Sequence, residues 1–167
     1  KKSGKGINVR VEPSGVCPSG EGNIVYKAIR ALLGEANANL GIEVVIKKRI
    51  PPSSGLGGGS SDAASCLRAI NEIYGLGLSS QSLFSIAAET GADVPFFMLG
   101  ESFAVAKGAG EILEPVDIDG SFSHIVIKPC ISISTAQMYK NLDGYRRGAR
   151  KDGIEEMVSA LKKKDLA

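Results

Sequence analysis

The feature that most restricts this chain is a run of small residues between two patterned segments, Pro51-Pro52-Ser53-Ser54-Gly55-Leu56-Gly57-Gly58-Gly59-Ser60-Ser61. Upstream, Ile42 to Ile46 is rich in β-branched residues and reads as a strand that runs out in Lys47-Lys48-Arg49. Downstream, Ala64, Leu67, Ile70, Ile73 and Tyr74 recur at helical spacing up to Gly75, with helix expected from Asp62 onward. Glycines in such a position let the backbone approach a ligand and take φ values that other residues resist. The first N–H groups of the following helix have no intrahelical partner, and the dipole there favours negative charge. With the hydroxyls of Ser60 and Ser61 added, the segment predicts an anion cradle suited to a triphosphate. A flexible linker is the competing reading, but linkers are not usually bracketed by a β-rich strand and an apolar-patterned helix.

Spacing separates this cradle from three other phosphate loops. A P-loop ends in Gly-Lys-Ser/Thr, and no such triplet occurs in the chain. The dinucleotide fingerprint needs glycine at position 60, which is serine here. The glycine loop of protein kinases lies in a hairpin, whereas this one leads into a helix.

The remaining pattern is that of mixed strands and helices. Ile7 to Val11 alternates apolar and polar residues as a half-buried strand does, and Pro18-Ser19-Gly20 marks a turn. Asn23 precedes a helical face of Ile24, Val25, Ala28, Ile29, Leu32 and Leu33, with Gly34 as the expected stop. Ser79 or Ser80 caps a helix through Leu83, Phe84, Ile86 and Ala87 that Gly91 closes. Phe103-Ala104-Val105 and Ile125-Val126-Ile127 read as later strands, and Ser134 as the cap of a short helix through Met138 and Leu142. Residues 143–153 read as a linker or surface loop. Ile154, Met157, Val158 and Leu161 form a last helical stripe, whose terminal lysines read as a solvated end that suits the dipole.

Composition narrows the function classes. The 167 residues suffice for one domain, or one domain and part of a second. The net charge of +2 gives no argument for nucleic acid as a partner. Cys17, Cys66 and Cys130 are scattered and form no CxxC pair, so neither a zinc site nor a disulfide framework is indicated, and a reducing cytoplasm fits. No apolar stretch approaches the roughly 18 residues of a membrane span, and the basic start has no apolar run behind it as a secretory signal would.

The glycine run, extended through Asp62-Ala63-Ala64, resembles the second motif of the GHMP kinases, which phosphorylate galactose, homoserine, mevalonate and related alcohols. Gly91-Ala92-Asp93-Val94-Pro95-Phe96-Phe97 and Lys128-Pro129, followed by Ile133-Ser134-Thr135 and Tyr139, narrow the resemblance. They point to the branch that phosphorylates the 2-hydroxyl of a CDP-linked methylerythritol in non-mevalonate isoprenoid synthesis. The likeness runs from about Asn23 to Leu142.

What the resemblance implies is an α+β fold. Residues 1–119 would form an N-terminal ATP-binding domain like ribosomal protein S5 domain 2, incomplete at its start. Residues 120–167 would begin a ferredoxin-like domain, truncated. It further implies ATP and Mg²⁺ at the cradle, with Pro51 to Ser61 around the phosphates, Asn23 and Lys48 near the adenosine, and Ser61 approaching the metal. Asp93 would be the catalytic aspartate, and Thr135 and Tyr139 would line the cytidine pocket. The small-molecule alcohol is the expected partner, with neither nucleic acid nor membrane; a homodimer is compatible with this. The expected location is cytoplasmic, or plastidic in a plant.

Read from the residues alone, Asp93 is as well explained as the N-cap of a helix that Pro95 starts. Asp62 would stabilise the helix N-terminus, His124 would be a surface or packing residue, and Glu111 part of a turn. Two family motifs are absent: a Lys-x-Asn-Leu segment before Asn23 and a Ser-Gly-Ser-Gly segment near the end. The chain is therefore expected to be the middle of a longer enzyme and to have little activity as an isolated segment. Another kinase of the same superfamily, of homoserine or mevalonate type, and a non-catalytic nucleotide-binding module are the alternatives.

Overall fold

The structure, a computed structural model, describes residues 2–3, 6–108, 110, 112–129, 138, 140–142 and 153–164. Strands β1 (Lys2–Ser3), β2 (Ile7–Glu12) and β3 (Gly41–Lys47) form one sheet in the order β1-β3-β2. β2 pairs parallel with β3 from Ile7 opposite Ile42 to Glu12 opposite Lys47, and β1 pairs antiparallel with β3. A parallel pair needs a crossover, and helix α1 (Ile24–Glu35) supplies it. Helices α2 (Gly58–Ile73), α3 (Ser80–Thr90) and α4 (Val94–Leu99) follow, then a hairpin of β4 (Ala104–Lys107) and β5 (Ile112–Pro115), and α5 (Gly153–Lys163).

One core holds the sheet and the first four helices together. Val9, Val11, Ile42 and Ile46 present one face of the sheet to Val25, Ala28, Ile29 and Leu32 of α1, the stripe expected from the sequence. Ala63, Ala64 and Leu67 of α2 are fully buried against the same core, with Ile86 and Ala87 of α3 and Val94 of α4 behind them. The alanines matter because they let α2 sit close to α1 and α4. The opposite face of the sheet is solvated and carries an Arg10–Glu43 ion pair.

Several expectations need correction. α2 begins at Gly58, not Asp62, so the glycines are the first turn of the helix and not only a loop before it. α1 runs through Gly34 to Glu35, and the left-handed residue that ends it is Asn37 at φ 46°, where Ala38 N–H donates to the Leu33 carbonyl. The second strand of the hairpin, β5, has no counterpart in the sequence reading. Ile125-Val126-Ile127 is not a strand: it pairs with no described segment, and Ile125 is 93% exposed. A strand is defined by its partner, and no described residue pairs with this segment. Cys130, Ser134, Thr135, Tyr139 and residues 143–152, like Ala109 and Glu111, lie outside the described residues. His124 is exposed, as expected.

Candidate active site

The cradle is built by the way α2 starts. Gly57 is its N-cap in the left-handed region, at φ 64°. The first intrahelical bond runs from Ser61 N–H to the Gly57 carbonyl at 2.9 Å, so the N–H groups of Gly58, Gly59 and Ser60 have no intrahelical partner. The turn before them is held open by left-handed Ser53 (φ 55°) and Gly55 (φ 74°).

The glycines at 57 and 58 have a steric reason beyond backbone freedom. A β-carbon on Gly57 would come within 2.5 Å of the Phe97 ring, and one on Gly58 within 2.9 Å of Ile50 Cγ2 and 3.4 Å of Lys48 Nζ. A cavity of about 210 Å³ lies over this turn, lined by Ile24, Lys48 and residues 51–60. Pro51, Pro52, Ser53, Ser54, Gly55, Leu56, Gly57, Gly58, Gly59 and Ser60 are thus brought to one wall, while Ser61, expected with them, is not among the residues that line it. Leu56 is half exposed at its rim.

Lys48 reaches the cavity from the end of β3. Its side chain is only 7% exposed, and its ammonium donates to Asp62 Oδ2 at 2.6 Å. Asp62 lies beyond the first turn of α2, so its partner is this lysine and not the helix terminus. Ser61 Oγ donates to the Gly58 carbonyl at 3.0 Å, which leaves its lone pairs available as acceptors. Asn23 is buried and caps α1: its Oδ1 accepts from Val25 N–H at 2.9 Å and its Nδ2 donates to the Pro18 carbonyl. Its polar atoms therefore serve the helix, and its neighbour Ile24 forms the cavity wall.

Asp93 occupies the N-cap position of α4 yet makes no capping bond with its side chain. The exposed carboxylate instead lines a second cavity, of about 420 Å³, with Gly55, Leu56 and Gly57 opposite and Phe96, Phe97, Ala106 and Leu113 around it. Residues 55–57 line both cavities, so the turn of the cradle and the carboxylate share the second one. The hairpin closes one side, where a β-carbon on Gly110 would lie 3.1 Å from the Ala92 carbonyl oxygen beside Asp93. Arg68 of α2 donates to the Phe97 carbonyl at 2.9 Å and ties down the far end of α4. Phe97 and Asp62 fall inside the quoted motifs, but their contacts with Gly57 and Lys48 span long separations that spacing does not reveal.

Among the described residues no cluster of three or more His, Cys, Asp or Glu could hold a metal, and no helix is long and apolar enough to cross a membrane. Burial and the nearby Asp62 carboxylate push the Cys66 thiol up to about 11.

A glycine-started helix and an uncapped aspartate thus line one cavity. Residues 23–101 match the GHMP kinases N terminal domain. Its relatives include the 4-diphosphocytidyl-2-C-methyl-D-erythritol kinases of Alkaliphilus metalliredigens, 39% identical over 89% of this chain and 50% of that protein, and of Shouchella clausii, 40% identical over 97% and 53%. A crystal structure of 4-(cytidine 5'-diphospho)-2C-methyl-D-erythritol kinase superposes with a TM-score of 0.73 at 31% identity, over 99% of this chain and 57% of that one. The homoserine kinase of Cytophaga hutchinsonii shares the fold, with a TM-score of 0.59 at 19% identity over 97% of this chain and 56% of that one. The mixed helix-and-strand fold is accordingly that of the GHMP kinases. The chain spans about half the length of the curated relatives it matches.

Proposed function

We propose that this chain is the nucleotide-binding part of an ATP-dependent kinase that phosphorylates the 2-hydroxyl of 4-diphosphocytidyl-2-C-methyl-D-erythritol. The observation that carries the reading is the uncapped carboxylate of Asp93, facing the glycine turn across one cleft. Transfer of a γ-phosphoryl group asks for positioning and charge neutralisation, plus one carboxylate to orient or deprotonate the attacking hydroxyl. Free N–H groups at the start of α2 suit the phosphate oxygens, and Asp93 suits the hydroxyl.

In this reading residues 51–61 wrap the triphosphate, and Lys48 and the α1 start capped by Asn23 flank the nucleotide. Thr135 and Tyr139 take the cytidine side. Residues 1–119 belong to the nucleotide-binding domain, and residues 120–167 begin the second. A Mg²⁺ ion would arrive with the phosphates: Ser61 Oγ keeps free lone pairs next to the cavity-lining Ser60, and among the described residues no His, Cys, Asp or Glu cluster offers the ion a site of its own. Such an ion, held by Ser61 and phosphate oxygens, would neutralise the charge that develops on the transferring group.

The test is phosphoryl transfer by the protein of the full reading frame, with ATP and each of three alcohols. Turnover of the CDP-linked methylerythritol, with none of homoserine or mevalonate, is the expected outcome. The reverse pattern would give the chain to another branch of the family. ATP binding without turnover of any of them would leave a nucleotide-binding module.

A further inference from the structure

We infer that Asp62 is a positioning residue that parks the Lys48 ammonium at the phosphate cradle and limits how tightly the cradle holds polyphosphate. This rests on the nucleotide reading above and deepens it. Lys48 comes from the end of β3 and Asp62 from the second turn of α2, so their 2.6 Å contact closes the base of the whole intervening loop. Gly58 and Asp62 stand four apart on the helix and therefore share a face. A β-carbon on Gly58 would lie 3.4 Å from Lys48 Nζ, so the ammonium sits against the first helical residue. That residue is one whose N–H has no intrahelical partner.

Two positive features thus converge, the ammonium and the N-terminal end of α2. Their mutual repulsion is offset by the Asp62 carboxylate. With its side chain 7% exposed, Lys48 is shielded from salt to a degree that surface lysines are not. When a polyphosphate enters the cavity that Lys48 lines, it competes with Asp62 for the same ammonium. The carboxylate then stands among like charges. Asp62 therefore holds the cation ready and at the same time opposes the anion, and removing only its charge should strengthen binding in proportion to the phosphate charge.

Calorimetric titration of the 167-residue chain with a non-hydrolysable ATP analogue, ADP and adenosine tests this. Asp62→Asn keeps the shape and an oxygen acceptor for Lys48. It should tighten the analogue about fivefold or more, tighten ADP less, and leave adenosine unchanged. Lys48→Met should weaken the analogue about tenfold or more with adenosine unchanged, and Lys48→Arg should recover most of that loss. Unchanged or weaker analogue binding by a folded Asp62→Asn chain overturns the inference, and this variant alone decides it should Lys48→Met not fold. An equal loss for adenosine in Lys48→Met also overturns it, by assigning Lys48 to the nucleoside. Absence of all nucleotide binding in the unsubstituted chain is a different failure: it removes the cradle reading itself, and this inference with it.

Discussion

The ring of Phe97 lies against the α-carbon of Gly57, leaving no room for a side chain at the residue that starts the phosphate helix. One contact therefore joins α4, which carries Asp93, to the cradle. Gly57→Ala meets two obstacles at once, a left-handed backbone and an aromatic ring 2.5 Å from the new carbon. We expect a loss of about 2–4 kcal/mol. In a thermal melt that is a fall of roughly 5–12 °C. Adding Phe97→Ala should cost less than the sum of the two single changes, because it removes the clash. Strict additivity in the double-mutant melt would show that the ring is not what excludes a side chain at Gly57.

Asp93→Ala in the full-length protein should abolish turnover while leaving ATP affinity nearly unchanged. Stability should also hold, within about 0.5 kcal/mol, because the carboxylate makes no capping bond. The check is kcat, nucleotide affinity and melting temperature on one preparation. Retained kcat would remove Asp93 from the reaction, and a large fall in melting temperature would return it to the helix.

Asn23 should behave as a structural residue. Asn23→Ala loses the acceptor for Val25 N–H and the donor to the Pro18 carbonyl, in a residue 6% exposed. The expected cost is about 1–3 kcal/mol by urea denaturation. Asn23→Ser, which keeps an acceptor at the cap, should recover part of it. A loss of adenosine affinity without a loss of stability would instead favour the nucleoside role that the family resemblance implies.

Cys66 gives a pH prediction with a definite sign. Its thiol is raised from an ordinary 9.0 to about 11 by burial first and by Asp62 second. Between those values the unfolded chain has released the proton and the folded chain still holds it. The stabilising contribution is therefore complete below pH 9 and is lost as pH rises towards 11. Relative to Cys66→Ala, the parent chain should lose roughly 1–2 kcal/mol more across that window. Parallel curves for the two proteins would show that the thiol is not held protonated. Its alkylation by iodoacetamide at pH 8 should be correspondingly slow.

What the sequence discloses depends on how local the cause is. The stripe of α1 is written within a few residues and is found where the pattern puts it, behind Asn23, whose capping bond only the structure shows. The glycine run is legible as a cradle, but its helical first turn is not. Glycine has a poor helix propensity, and the crowding by Phe97 at Gly57 and by Ile50 at Gly58, with the left-handed backbone of Gly57, gives the reason for it there. The Lys48–Asp62 pair spans the loop and has no periodic signature. The Asp93 ambiguity between cap and free carboxylate is one that spacing cannot resolve, since both uses need the same residue at the same position; the structure puts it at the N-cap with no capping bond from its side chain. The strand expected at Ile125 to Ile127 has the right residues and no pairing partner among the described residues.

That last segment has a practical consequence. Ile125 and Ile127 stand 93% and 85% in solvent, with Val126 between them at 59%, on backbone whose hydrogen-bonding groups are unclaimed by any described strand. Branched aliphatic chains on such a template invite a second molecule to add itself alongside. A preparation of this chain by itself should grow heavier as it is concentrated, and lysine at position 126 should keep it dispersed.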